Sequence, residues 1–421
     1  MYVERNSFCR KQIFQCAQND GFKIFMGGEE SRSSWYRQES VNLLVLPGKS
    51  PRISTAPMMR VIHVVGARPN YMKVAPIMRA MRQRPDFWEQ ILVHTGQHYD
   101  QELSEVFFPE LGLPPPDVYL GTGSGSHAEQ YARVLQGFES VLKQERPQWV
   151  IVVGDVNSTL ACALAATQAR VQVAHVEAGL RSFDRSMPEE INRVLTDHLS
   201  TLLFTSEPCG AENLRREGIE EEKIRFVGNT MIDSLVAALP RTQDGRAVKE
   251  LGLWDTHRPN SYVLVTLHRP SNVDSSVELA RILEGLAEVS SRVPVVFPVH
   301  PRTRLRLEST SSVRLPTQIR LLPPVGYVDF LTLERHASLV ITDSGGIQEE
   351  TTYLRVPCLT VRPNTERPIT LLGGQNRLIK PSEIPFAVDD VLSMRPVSTQ
   401  PPPLWDGHSA ERIVKHLESQ A

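Results

Sequence analysis

From Val61 onward, short apolar β-branched runs alternate with longer amphipathic stretches. "RVIHVV" leads into "YMKVAPIMRAMRQ", "WVIVVGD" into "STLACALAATQA", and "VQVAHVEAG" into "PEEINRVLTDHLS". The strand-like runs are nearly continuous in apolar residues rather than alternating. They therefore read as strands covered on both faces, as in a parallel sheet with helical crossovers. "AEQYARVLQGFESVLKQ" reads as a helix, with Ser126 as its cap and Pro147 beyond its end. The alternation pauses at "LPRTQDGRAVKELGLWDTHRPNS" and restarts. "YVLVTLH", "PVVFPVH", "IRLLPPV", "SLVITDSGG" and "VPCLTV" are then strands, and "VELARILEGLAEVSSR" is a helix. The expected fold is α/β, with two Rossmann-like doubly wound domains and an interdomain cleft.

The expected first domain spans 58–229 and the second 230–400, with 401–421 a C-terminal helix packing back towards the first. Residues 1–57 are polar, irregular and Ser/Arg-rich. They are expected to be an extension or a mis-called start, with the folded chain beginning near Met58.

Composition narrows the function classes. A chain of 421 residues is too long for one ordinary core. Hydrophobic content of 41% and charged content of 22% fit a globular protein. A net charge of −2 gives no reason to expect nucleic acid or an anionic membrane as a partner. No apolar run approaches the ~20 residues that span a bilayer. The cysteines at 9, 16, 162, 209 and 358 are scattered and form no CxxC, which fits a reducing compartment such as the cytoplasm.

Polar residues follow almost every expected strand: Gly66, Arg68 and Lys73; Asp155; Glu177 and Arg181; His268 and Arg269; His300; and Asp343-Ser344-Gly345-Gly346. Ligands of doubly wound sheets sit at those carboxyl ends. In "DSGGIQEE" the glycines open a helix whose free N–H groups suit a phosphate. A carboxylate one turn later suits the adjacent hydroxyls of a ribose, so the segment reads as a nucleotide site. Glu189 and Arg193, spaced i,i+4, read by themselves as a surface ion pair worth about 0.3–0.5 kcal/mol. No GxGxxG follows a strand, which argues against a dinucleotide cofactor.

Ten ordered segments carry a family resemblance: "GARPNYMKVAP", "HTGQHYD", "VVGDVNSTLA", "HVEAGLRS", "PEEINR", "VGNTMID", "HRPSNVD", "PVHPRTR", "DSGGIQEE" and "NTERP". Over about residues 60–380 the chain resembles the non-hydrolysing UDP-N-acetylglucosamine 2-epimerases. The resemblance implies a GT-B-like pair of Rossmann domains, a UDP-sugar substrate, a homodimer, and no cofactor or metal. It implies inversion at C2 by elimination and re-addition of UDP. Asp155, Glu177, Glu189 and His268 match the catalytic positions, and His268 also matches a diphosphate contact. Arg68, Lys73, Arg193, Ser344, Gly345 and Gly346 match the diphosphate contacts. Glu350 matches the ribose contact and Phe330 a residue beside the uracil. The chain departs from the family wording at Asn70 and Ser271, which stand where acids are commoner, and at Asp100 and Gln375. The "GARP" and "HTGQHYD" wording resembles a branch that includes epimerases of diacetamido uronates. A glycosyltransferase of the same fold is the alternative from another class.

Overall fold

The computed structural model describes residues 44–45, 58–96, 108–254, 262–299, 301–309, 316–373, 375–393 and 400–420. His300 and the whole "QHYDQEL" segment, Asp100 included, lie outside them, as does most of the stretch before Met58.

The first sheet contains β1 (Leu44–Val45), β2 (Met59–Val65), β3 (Trp88–His94), β4 (Val118–Tyr119), β5 (Trp149–Val153), β6 (Gln172–Val176), β7 (Leu202–Thr205) and β8 (Ile224–Phe226). Its order is β1-β4-β3-β2-β5-β6-β7-β8. Every neighbouring pair is parallel except β1 with β4. Leu44 and Val45 belong to the expected extension, yet they pair with Tyr119 and Val118 at the sheet edge.

The second sheet contains β9 (Val263–Thr266), β10 (Val295–Pro298), β11 (Ile319–Leu322), β12 (Leu339–Thr342), β13 (Cys358–Val361) and β14 (Asn376–Ile379). Its order is β11-β10-β9-β12-β13-β14, all parallel. Strand order reverses between β2 and β5 in one sheet and between β9 and β12 in the other. Those reversals create the two crevices in which such folds bind ligands.

The helices that matter for the site are α1 (Arg68–Met81), α2 (His127–Glu145), α3 (Asn157–Gln168), α4 (Pro188–Leu199), α5 (Pro208–Arg216), α6 (Thr230–Ala238), α7 (Ser276–Ser290), α8 (Tyr327–Arg335), α9 (Gly345–Leu354) and α10 (Ser409–Glu418). Ser126 caps α2, accepting from the Glu129 N–H while the Glu129 carboxylate returns to the Ser126 N–H.

The apolar runs bury both faces. Val61, Val65, Ile151 and Val153 face one core with α1, while Ile62, Val64, Val150 and Val152 face another with α2 and α3. The second sheet repeats this, with Val263 and Val265 on one side and Leu264 on the other.

The chain leaves the first sheet through Gly228, whose φ is +92°. A Cβ there would lie 2.1 Å from the Leu404 carbonyl, so only glycine fits. Asn229 then caps α6 through the Met231 N–H. The C-terminal segment lies against the first domain. Trp405 is buried and its Nε1–H donates to the Ser206 carbonyl. Asp233 accepts from the Ser409 and Ala410 N–H groups at the start of α10, and Ile413 and Leu417 share the core of α1.

Candidate active site

At the first crevice, β2 ends at Val65 and Gly66-Ala67 turn the chain into α1. The Asn70 carbonyl oxygen accepts from the Gly66 and Ala67 N–H groups at 3.1 and 3.0 Å. Its amide donates to the Val153 carbonyl at 3.0 Å, at the end of β5. A carboxylate could accept both bonds but could not donate to Val153. Asn70 therefore fastens the two strands that flank the crevice. Arg68 is exposed, with its guanidinium in electrostatic reach of Glu350 and Tyr327. Lys73 is buried and paired with Glu177.

Glu177 follows β6 with φ at +71°, a left-handed conformation that non-glycine residues rarely adopt. Its carboxylate is gripped by two cations, Lys73 from the first domain and Arg367 from the second. The neighbouring Gly154 has φ at +67°, and a Cβ there would lie 2.9 Å from the Lys73 ammonium. The glycine before Asp155 therefore makes room for this ion pair.

Asp155 accepts from Arg193 at 2.5 Å, and Arg193 also donates to Glu190 at 2.8 Å. The spacing taken alone suggests a surface pair of Glu189 with Arg193, which is not the pair formed. Arg193 is buried, and its partners are Asp155 and Glu190, with Glu366 at 4.0 Å. Glu190 faces inward and accepts from the Ser182 and Phe183 N–H groups, which closes the loop before α4. Glu189 is partly exposed, and its carboxylate makes no hydrogen bond or ion pair among the described residues. Burial pushes the Asp155 carboxyl up, but Arg193 and Lys73 outweigh it and hold the group below its usual range.

At the second crevice, β9 leads to His268-Arg269 and β12 to Asp343. Asp343 is fully buried and accepts from the His268, Arg269 and Asn272 N–H groups at 3.0–3.1 Å. It also takes the His268 Nδ1 at 3.0 Å, while that imidazole is half exposed. The carboxylate thus orients the ring and fixes the proton on Nδ1, leaving Nε2 as the free nitrogen.

Ser344 precedes α9 without capping it through its side chain, so the first-turn N–H groups stay available to an anion. A Cβ on Gly345 would lie 2.6 Å from the Arg367 guanidinium, and one on Gly346 3.0 Å from the Met231 methyl. These glycines admit the close approach of the arginine and of α6.

Glu349 and Glu350 are adjacent in α9, about 100° apart around its axis, and serve different halves of the cleft. Glu349 is fully buried and pairs with Arg367 Nε at 2.8 Å, in the cluster that contains Glu177. Glu350 accepts from the Tyr327 hydroxyl at 2.8 Å and is in electrostatic reach of Arg68. Burial pushes the Glu350 carboxyl up to about 7, against Tyr327 and Arg68, which favour its charged form. Phe330 packs in the second domain's core with Tyr262, Leu264 and Val296, only 8% exposed.

Glu366 and Arg367, in "NTERP", complete the cluster. Arg367 contacts Glu177, Glu349 and Glu366. Glu366 also accepts from Arg362 at 2.7 Å. Burial alone would raise the Glu366 carboxyl, but Arg367 and Arg362 hold it well below the usual range. Glu349, Glu366 and Arg367 were not among the expected site residues. Nothing in their local spacing marks them. The resemblance contained their segments but attached no role to them.

Among the described residues, no group of three His, Cys, Asp or Glu side chains is arranged to hold a metal. The cleft therefore joins a helix N-terminus with its cations to carboxylates at neighbouring strand ends.

The chain matches the UDP-N-acetylglucosamine 2-epimerase family over residues 79–418. It is 43% identical over 366 residues to the UDP-N-acetylglucosamine 2-epimerase of Methanocaldococcus jannaschii, covering 85% of this chain and 99% of that protein. It is 42% identical over 324 residues to the UDP-2,3-diacetamido-2,3-dideoxy-D-glucuronate 2-epimerase of Pseudomonas aeruginosa, covering 76% of this chain and 88% of that one. The crystal structure of the M. jannaschii enzyme in complex with UDP-GlcNAc and UDP matches with a TM-score of 0.79, over 86% of this chain and 100% of that chain. The ordered motifs, the paired Rossmann sheets and these matches agree: the chain belongs to the UDP-N-acetylglucosamine 2-epimerase family.

Proposed function

We propose that this protein interconverts UDP-GlcNAc and UDP-ManNAc by eliminating UDP across C1–C2 and adding it back after C2 is protonated on the other face. One observation carries the reading. Asp155 and Glu177 follow adjacent parallel strands, and Arg367, which holds Glu177, adjoins Gly345 at the open N-terminus of α9. A leaving diphosphate and a proton-transfer group can then act on neighbouring atoms of one sugar.

The diphosphate lies on Ser344, Gly345 and Gly346, with Arg68, Lys73, Arg193 and His268 around it. The ribose hydroxyls reach Glu350 and the uracil lies beside Phe330. Asp155, Glu177 and Glu189 surround C2. In elimination a carboxylate takes the C2 proton, the C–H pair becomes the C1–C2 double bond, and UDP leaves with the C1–O pair. Re-addition reverses these steps with a carboxylic acid on the opposite face. No nicotinamide takes part.

A homodimer fits this reading. Ile191 and Leu195 lie i,i+4 on α4, both exposed, and would be covered by a second copy. The cytoplasm fits the described cysteines, Cys162, Cys209 and Cys358, all free thiols. Similarity to the P. aeruginosa enzyme supports a second reading, in which the sugar is a diacetamido uronate.

Proton NMR in D2O with UDP-GlcNAc and no NAD tests the proposal. UDP-ManNAc carrying deuterium at C2 is the expected product. Release of free UDP and sugar would refute the non-hydrolysing mechanism. No turnover of UDP-GlcNAc, with turnover of the diacetamido uronate, would establish the second reading.

A further inference from the structure

Glu207 has no part in the chemistry above, yet it lies against it. It follows β7, the neighbour of β6, and Glu177 is tied to that strand by its N–H to the Phe204 carbonyl. Glu207 is the residue before α5 but does not cap that helix with its side chain. Its side chain is buried at 1% exposure. The Cys209 thiol, on α5, donates to Oε1, while Oε2 is buried with no partner. Glu207 forms no ion pair among the described residues. The charged groups in reach from the packed elements are Glu177 after β6, Glu349 of α9 and Arg367 after β13. Arg367 is already taken by three carboxylates.

A buried carboxylate with no cation of its own, beside two other carboxylates, is more stable as the neutral acid. The group is accordingly pushed up to about 7, chiefly by burial. Glu177 is the opposite case, its carboxyl held between Lys73 and Arg367. Two adjacent strand ends thus carry one carboxyl with no cation of its own and one held between two cations.

We propose that Glu207 holds a proton in reserve for Glu177. Building on the epimerase reading, an arriving diphosphate draws Lys73 towards itself and weakens the cation grip on Glu177. The Glu207 O–H bond then breaks as an O–H bond forms on Glu177, through one bridging water, and the pair keeps a single negative charge. Glu177 thereby becomes an acid able to protonate C2. Reverse transfer restores the free state after product leaves. Glu207 touches no substrate and is a positioning residue for the proton.

The test is Glu207→Gln in the full-length protein, which keeps shape and burial but removes the transferable proton. Infrared difference spectra of wild type against variant at neutral pH should show the carbonyl stretch of a protonated carboxyl present only in wild type. With the UDP-sugar that wild type turns over, kcat should fall roughly 100-fold while KM changes little, and the pH-profile limb near neutrality should vanish. Cys209→Ala, which removes the thiol donor but keeps the acid, should retain turnover with that limb displaced. An E207Q variant with wild-type kcat and pH profile, or an absent infrared band, overturns the proposal. The infrared band needs no substrate, so it tests Glu207 even where wild type turns over no UDP-sugar and the epimerase reading itself fails.

Discussion

Replacing Arg367 with Met removes one cation from three buried carboxylates while keeping most of the side-chain volume. Glu177, Glu349 and Glu366 all contact this guanidinium, and Glu177 lies 190 residues away in the other domain. Breaking a buried ion pair by deleting one partner costs about 3–5 kcal/mol, because the remaining charge stays desolvated. Glu366 keeps Arg362 at 2.7 Å, and Glu349 escapes part of the penalty by taking a proton, so the loss stays within that range despite three partners. At roughly 2–4 °C per kcal/mol, the melting temperature should fall by about 6–20 °C at pH 7. The sign of the pH dependence follows from Glu366, whose carboxyl is depressed in the fold. Such a group contributes stability that is full above its unfolded pKa of about 4.3 and is lost as pH falls through the folded value. Arg367→Met removes much of that depression. The gap between wild type and variant should therefore be full at pH 7 and close as the pH falls below about 4. Urea unfolding followed by circular dichroism across pH measures it. A gap under about 1 kcal/mol at pH 7, or one that stays constant into acid, would refute the charge-cluster argument.

Glu189→Gln should abolish epimerisation by NMR while calorimetry finds UDP affinity within a few-fold of wild type; unchanged turnover would remove Glu189 from the chemistry. Glu350→Ala should weaken UDP binding by about 1–2 kcal/mol, roughly tenfold in Kd, and equal affinity would count against the ribose contact. Gly154→Ala should destabilise by about 1–2 kcal/mol from its left-handed φ alone. Its Cβ would also displace the Lys73 ammonium, so turnover should fall further than the stability loss explains, and a variant with full kcat would contradict the packing at that position.

Reading the alternation of apolar runs and amphipathic stretches was enough to place most of the strands and long helices, since periodicity reports which faces are buried. Val61–Val65 and Trp149–Val153 show it directly, each strand feeding a core on both faces. Ser126 was legible because a cap is set by residues three apart. The strand-end residues could be enumerated because doubly wound sheets use one end for ligands.

What the sequence by itself determined was therefore local: element type, caps, and which residues end strands. Tertiary structure decided which of those residues meet. Spacing paired Arg193 with Glu189, but burial of that helix face turned it to Glu190 and Asp155. Glu349 and Glu350 look equivalent in the chain, and only packing against α8 and the Arg367 loop sends one to Tyr327 and the other to Arg367. Asn70 stands out in the sequence as a departure, yet its purpose depends on the Val153 carbonyl, 83 residues on. Arg367 carried no periodic signal because its partners come from two domains. A one-dimensional pattern encodes contacts a few residues apart, whereas desolvated charge pairs form wherever the fold brings opposite charges together out of water.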